Sequence, residues 1–293
     1  MKKTISFIIN PLSGGKSKDH IPQLIKSTID TEKYEIDIQI THNENDTLQK
    51  VSRAVENKFD AIVAVGGDGT LNNVARFVNH TNILLGIVPM GSGNGFAREL
   101  GISMDVTKSL QIINTWHHKT VDTGIINDKF FINLIGVGFD AHVTGLFANS
   151  QSRGLKTYTR ITLSEFMNYN SHDYSIFCDG VQMDHNAFLM SVCNGSQFGN
   201  NAFIAPGAKL DDGHFDISVV EKFKLWQTPE MGLRLFNKSI HKMSFVKSYK
   251  AKEIKIVREK EDMVNIDGEP VMMGKELDIK MQHKSIKVIV PNE

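Results

Sequence analysis

The apolar run Ala61-Ile62-Val63-Ala64-Val65 passes directly into Gly66-Gly67-Asp68-Gly69-Thr70. A strand with no polar alternation is buried on both faces, which is the central position of a parallel sheet. Parallel strands need crossover connections, usually helices. The flanking sequence supplies them. Ile5 to Ile9 reads as a short apolar strand, and Ile21, Leu24, Ile25 and Thr28 follow at helical spacing. Tyr34, Ile36, Ile38 and Ile40 alternate with polar residues as a one-face strand, and Leu48, Val51 and Val55 mark a helix. Leu71, Val74, Phe77 and Val78 predict the helix after the glycine loop, Ile83 to Val88 a further strand, and Phe96 to Leu100 the start of another helix. This order predicts a parallel sheet covered by helices on both sides.

The rhythm changes after about Val121. Strand-like runs recur with the tight-turn pairs Asn127-Asp128, Asp179-Gly180, Asp212-Gly213 and Asp267-Gly268, which favour hairpins. Helical spacing survives around Leu155 to Tyr169 and Leu225 to Phe236. The second half reads as a mostly antiparallel domain with helical insertions. The absence of a flexible linker predicts two halves packed around a cleft.

The 293 residues carry 33 lysines and arginines against 33 aspartates and glutamates. That balance gives no support for broad nucleic-acid binding, which needs a basic surface to displace counterions. The N-terminal apolar run is too short for a secretory signal core and ends in Asn10-Pro11. No stretch approaches the roughly 18 apolar residues of a membrane span. The two cysteines, Cys178 and Cys193, form no CxxC pair, so a reduced compartment is the economical reading. These features predict a cytoplasmic protein with no transmembrane segment.

In an open parallel sheet, ligands bind beyond the carboxyl ends of the strands. Three loops stand at such ends. Asn10-Pro11-Leu12-Ser13-Gly14-Gly15-Lys16-Ser17 ends like a Walker A loop, but Asn10 replaces its first glycine and Pro11 removes an N–H from the cradle. A phosphate-binding turn and a plain strand-to-helix turn remain equal readings for that loop. Gly66 to Thr70 leads into a helix start, where close backbone approach, unpaired N–H groups and the helix dipole favour an anion. Asp68 repels phosphate unless a cation intervenes, so it points to Mg2+ or to a substrate hydroxyl. Gly91-Ser92-Gly93-Asn94-Gly95 joins the next strand to the next helix and supplies another wall. In the second half, Lys209 to Phe215 reads as a small cation loop or a surface hairpin. Asp267-Gly268-Glu269 places two carboxylates around a tight turn.

Together these segments resemble the diacylglycerol kinase catalytic-domain family, which includes bacterial soluble lipid kinases and is related to the sphingosine kinases. The resemblance covers essentially the whole chain. It rests on Asn10-Pro11 with Ser13-Gly14, Gly66 to Thr70, Gly91 to Asn94 with Phe96-Ala97-Arg98, Asp211-Asp212-Gly213, and Asp267-Gly268-Glu269, in the family's order and spacing. It implies an α/β nucleotide-binding domain over residues 1–122, with a parallel sheet like that of phosphofructokinases and NAD kinases. The tail 284–293 would return to that domain. A mostly antiparallel, β-sandwich-like lipid-substrate domain would span 123–283, with ATP in the cleft. By the same resemblance, Asn10, Pro11, Leu12, Ser13, Gly14, Thr41, Gly66, Gly67, Asp68, Gly69, Thr70, Leu71, Asn72 and Ser92 contact ATP, and Glu269 lies near the nucleotide. Asp267 is implied as the proton acceptor. A structural Mg2+ would be held by the Asp212 carboxylate and the backbone carbonyls of Lys209 and His214.

Two departures bear on the substrate. Many bacterial diacylglycerol kinases carry aspartate where this chain has Gly95, and glutamate where it has Asn73. Asp68 and Asp122 are the carboxylates left for a Mg2+–water network. The Gly91-Ser92-Gly93-Asn94 form is similar to that of sphingosine kinases. The implied reaction is transfer of the ATP γ-phosphoryl group to a lipid hydroxyl, such as that of diacylglycerol, during a transient visit to the membrane surface. A sphingoid-base kinase, an NAD kinase-like enzyme and a non-catalytic nucleotide-binding regulator stay open as alternatives. So do Asp68 as the proton acceptor and a homodimer as the assembly.

Overall fold

The computed structural model describes residues 2–11, 18–150 and 154–292. The chain divides into two compact units, Met1–Val121 with Lys284–Glu293, and Asp122–His283.

In the first unit, β1 (Lys3–Ile9), α1 (Ile21–Thr28), β2 (Tyr34–Ile40), α2 (Glu44–Glu56), β3 (Ala61–Gly66), α3 (Asp68–Val78) and β4 (Leu84–Pro89) alternate strictly. The strands are parallel in the order β2-β1-β3-β4. β3 is buried at every residue, as its unbroken apolar run requires. The chain's C-terminal residues add a further parallel strand, with Lys287 and Val288 opposite Leu84 and Leu85. Helix starts follow local chemistry. Asn43 caps α2 by accepting the Asp46 N–H, and α2 buries Thr47, Val51 and Ala54 on one face. Two helices follow β4: α4 (Gly95–Glu99) and α5 (Val106–Thr115). The sequence reading starts a helix at Phe96 and gives α5 no range of its own, although Asp105 caps it and Ser109, Leu110 and Ile113 give its buried face. Leu110 and Ile113 join Ile21, Ile25, Phe7, Val63 and Val65 in one core.

The register sets the site. Ile9 stands opposite both Ile40 and Val65, and Gly66 opposite Pro89. Four parallel strands therefore end level with one another, and their outgoing loops leave from one edge.

The chain enters the second unit along β5 (His118–Ile126). There follow β6 (Lys129–Phe131), β7 (Leu134–Gly138), α6 (Phe139–Ala148), α7 (Leu155–Phe166), β8 (His172–Cys178) and β9 (Val181–Cys193). Next come the short pair β10 (Gln197–Gly199) and β11 (Ala202–Phe203), then β12 (Phe215–Glu221), α8 (Thr228–Phe236), β13 (Val246–Ala251) and β14 (Glu253–Arg258). The last strands are β15 (Asp262–Ile266), β16 (Glu269–Met273) and β17 (Glu276–Ile289), whose end re-enters the first unit. Pairing here is antiparallel. β9 pairs with β8 over its first half and with β7 and β12 over its second. Its burial changes to match, from part-exposed alternation to unbroken burial over Ala187 to Cys193. Apolar residues of β7, β8, β9, β12, β14 and β15 meet in one core, and a second aromatic core around Phe139, Phe188 and Phe245 lies under the helices.

Asp179-Gly180 and Asp267-Gly268 form two-residue turns with both φ positive, at 47° and 86° and at 50° and 91°. They join β8 to β9 and β15 to β16 as hairpins. Asp212-Gly213 does not form a hairpin. It lies in the loop before β12, whose partners are β9 and β13. No helix among the described residues is long and apolar enough to cross a membrane.

Candidate active site

At the level edge of the parallel sheet, the outgoing loops are stitched to neighbouring strand ends. The Asn10 N–H donates to the Val65 carbonyl at 3.1 Å, the Thr41 N–H to Ile9 at 2.8 Å, and the Met90 N–H to Gly66 at 2.7 Å. Asn10 Nδ2 donates to Thr70 Oγ1 at 3.1 Å, tying the first loop to the first turn of α3. That turn is possible because residue 66 is glycine, since a Cβ there would lie 2.4 Å from Thr70 Oγ1. The second and third loops touch backbone to backbone. A Cβ on Gly91 would lie 2.6 Å from Gly67 Cα.

Asp68 locks this contact. Its Oδ2 accepts the Asn94 N–H at 2.9 Å and its Oδ1 accepts the Gly95 N–H at 3.1 Å. A carboxylate at the start of α4 satisfies N–H groups that have no partner in the helix. Asn94 holds a left-handed conformation, φ 51°. It bridges its own loop: Oδ1 accepts the Gly91 N–H and Nδ2 donates to the Gly91 carbonyl. Thr41, Thr70 and Leu71 are buried, Asn10, Pro11, Gly67, Asp68, Gly69 and Asn72 are half-buried, and Ser92 is exposed. Leu12, Ser13 and Gly14 lie outside the described residues. The start of α3 follows Gly67 directly, and a helix start is a place where backbone donors can meet an anion. Sequence reading missed Lys18. It is buried, its ammonium donates to the Asn10 carbonyl, and burial lowers its pKa to about 8. A lone lysine ahead of a helix carries no sequence signal for that burial.

In the second unit, Asp267 occupies the left-handed first position of the β15–β16 turn and is buried. Its Oδ2 accepts the Ile132 N–H at 2.8 Å, and its Oδ1 accepts the Asn133 and Leu134 N–H groups at 2.9 and 3.0 Å. Three charge-assisted bonds fix the carboxylate's orientation. The turn is braced from below. Asn265 Oδ1 accepts the Gly268 N–H, and Asn265 Nδ2 donates to Asp140 Oδ2 at 2.8 Å. Asp140 is buried at the start of α6, and burial pushes its carboxyl up to about 6. Gly136 leaves room for it, because a Cβ there would stand 1.8 Å from Asp140 Oδ2. Glu269 is exposed at the start of β16. Asn265 and Asp140 are supports that no motif announced.

Asp122 is wholly buried. Its Oδ2 accepts the Gly213 N–H at 2.7 Å and its Oδ1 pairs with His283 Nδ1 at 2.8 Å. In the adjoining loop, Asp212 Oδ1 accepts the His214 N–H at 3.1 Å, and Asp212 Oδ2 lies 2.9 Å from Lys250 Nζ. Burial pushes the Asp212 carboxyl up, but Lys250 and the His214 N–H outweigh it and hold it below the usual range. Lys250 Nζ also lies 3.0 Å from Asp216 Oδ2. Among the described residues, no group of three or more His, Cys, Asp and Glu side chains is placed to hold a metal. One carboxylate and the carbonyls of Lys209 and His214 are still all-oxygen donors, the type Mg2+ takes along with water. The loop fits a hydrated Mg2+ in donor type, and Lys250 competes for its carboxylate.

The sequence matches the Diacylglycerol kinase catalytic domain over residues 4–126 and the YegS C-terminal NAD kinase beta sandwich-like domain over residues 133–290. A diacylglycerol kinase of Staphylococcus saprophyticus is 30% identical, covering 100% of this chain and 97% of that protein. The chain belongs to the diacylglycerol kinase family. A diacylglycerol kinase of Staphylococcus haemolyticus is 31% identical over 92% of this chain and 83% of its own length. Among solved structures, a putative diacylglycerol kinase from Bacillus anthracis superposes with a TM-score of 0.80. It covers 99% of this chain and 97% of that one, at 24% identity. That likeness bears on the fold, a parallel α/β domain followed by a sandwich-like one. Members of the diacylglycerol kinase family are kinases acting on an alcohol group, and so is this chain.

Proposed function

We propose that the protein transfers the γ-phosphoryl group of ATP to the hydroxyl of a lipid, with diacylglycerol as the first candidate, acting from the cytoplasm at a membrane surface. The observation that supports this most is the level edge of the parallel sheet. There the Asn10 side chain meets Thr70, the Thr41 N–H bonds the end of β1, and Gly67 and Gly91 touch in a contact that Asp68 clamps; Gly66 to Asn72 and Ser92 are assigned to ATP with them. Phosphoryl transfer depends mainly on positioning and charge neutralisation. In this reading the N–H groups of the α3 turn, with Ser92 on the third loop, orient the phosphate chain. Leu12, Ser13 and Gly14 add contacts to ATP. Asp267, its carboxylate oriented by three backbone donors, takes the proton from the lipid hydroxyl, and Glu269 is assigned to the nucleotide. Mg2+ supplies charge neutralisation when bound, with Asp212 and the carbonyls of Lys209 and His214 as a structural site.

A lipid-panel assay with Mg2+-ATP tests the reading. Diacylglycerol, monoacylglycerol, a sphingoid base and NAD are offered separately, and labelled product is resolved by chromatography. A labelled lipid in the diacylglycerol arm supports the proposal. Label in the NAD arm alone replaces it with an NAD kinase, and ATP binding without product in any arm replaces it with a regulator.

A further inference from the structure

The α8 helix is apolar on two faces. Met231 and Leu235 pack into the aromatic core. On the other side Leu233 is 70% exposed and Phe236 63%. The 3-10 turn Leu225–Gln227 runs straight into α8, with Gln227 in a right-handed helical conformation. Trp226, 72% exposed, therefore continues the same stripe: Trp226, Pro229, Leu233 and Phe236 follow at spacings of three, four and three. One helical face that stays apolar in water, while the opposite face already fills a core, marks an interaction surface.

Charge indicates what covers it. The whole chain balances 33 basic against 33 acidic residues. From residue 222 to 242 it carries Lys222, Lys224, Arg234, Lys238 and Lys242 against Glu230 alone. Glu230 is paired with Arg234 at 2.7 Å, and all four lysines are exposed. A second copy is a poor occupant, because a two-fold contact sets this positive segment against itself. Lipid headgroup phosphates complement it, and an indole ring is at home at the headgroup level.

We propose that this stripe docks the protein on an anionic phospholipid bilayer. Trp226, Leu233 and Phe236 enter the boundary between acyl chains and headgroups, and the flanking lysines meet the phosphates. The proposal deepens the lipid-kinase reading by naming how the enzyme reaches its substrate, and it rests on that reading for its purpose.

The test uses the full chain and vesicles of phosphatidylcholine, with or without phosphatidylglycerol. Co-sedimentation compares the wild type with W226S/L233S/F236S and with K222E/K224E/K242E, all at exposed positions, and circular dichroism checks the folds. The expected result is binding to anionic but not neutral vesicles, weakened by salt and lost about tenfold or more in both variants. Equal binding by wild type and variants overturns the proposal. So does a wild-type dimer that becomes monomeric in the serine variant, which makes the stripe a self-association face. Lipid phosphorylation is read separately on substrate in detergent micelles. Stripe-dependent vesicle binding without phosphorylation of any lipid leaves the docking surface standing and removes the kinase reading. Phosphorylation of vesicle lipid that is equal in all three proteins does the reverse.

Discussion

Asp267 receives an N–H bond at both carboxylate oxygens, and that shapes what its substitution does. In Asp267→Asn, one acceptor becomes an NH2 group facing an N–H donor, so the variant loses on the order of 1–3 kcal/mol of stability. If Asp267 is also the proton acceptor, turnover falls by about 10²- to 10⁴-fold while ATP binding persists. Thermal unfolding, ATP affinity and kcat measured together separate the two effects. Normal kcat moves the role to Asp68. Asp140 gives a pH prediction. Its carboxyl sits at about 6 in the folded chain, above the roughly 3.9 of an unfolded aspartate. Between those values the folded chain keeps a proton that the unfolded chain has lost, so this group lowers stability as pH rises from about 4 through about 6. Asp140→Asn keeps an acceptor for Asn265 and removes that fall, on the order of 2–3 kcal/mol. Denaturant titrations of both proteins at pH 4.5 and 7 read the difference. The glycines, Asp68 and Asp267 were legible as motif residues. Their partners were not, because Ile132 to Leu134 and Asn94 meet those carboxylates from distant chain positions.

At the scale of elements, the parallel strands and the two Asp-Gly hairpins could be read directly, since periodicity and turn chemistry are local. The loop before β12 could not, because what decides it is Gly213 docking on Asp122. The approach of the second and third loops gives a test. Gly91→Ala places a methyl 2.6 Å from Gly67 Cα and 2.7 Å from Asn94 Oδ1. Overpacking costs about 1–3 kcal/mol, and here it falls on the contact between the second and third loops. ATP affinity should fall about tenfold by calorimetry, with the antiparallel unit unchanged by hydrogen exchange. Unchanged affinity removes the loop contact from nucleotide binding. The Asp212 loop has its own test. Lys250→Ala frees the carboxylate from an ammonium, so Mg2+ should raise the unfolding temperature more in the variant than in the wild type. An equal response in both argues against Asp212 as a ligand.

At the scale of the whole molecule, a parallel α/β unit and a mainly antiparallel one share two strands, β5 and β17, that run from one unit into the other. The change of rhythm near Val121 was visible because strand–helix alternation gives way there to strand runs with tight-turn pairs. The burial of Lys18, the bracing of the Asp267 turn by Asn265 and the outward stripe of α8 depend on tertiary packing and had no local signature. The proposed reaction transfers the terminal phosphoryl group of ATP to a lipid hydroxyl. The most direct measurement incubates the protein with diacylglycerol micelles and ATP labelled on either its γ- or its α-phosphate. The expected product is a labelled phospholipid from the γ-label alone, strongly reduced in Asp267→Asn. No labelled lipid from either ATP, with the protein folded and ATP bound, contradicts it.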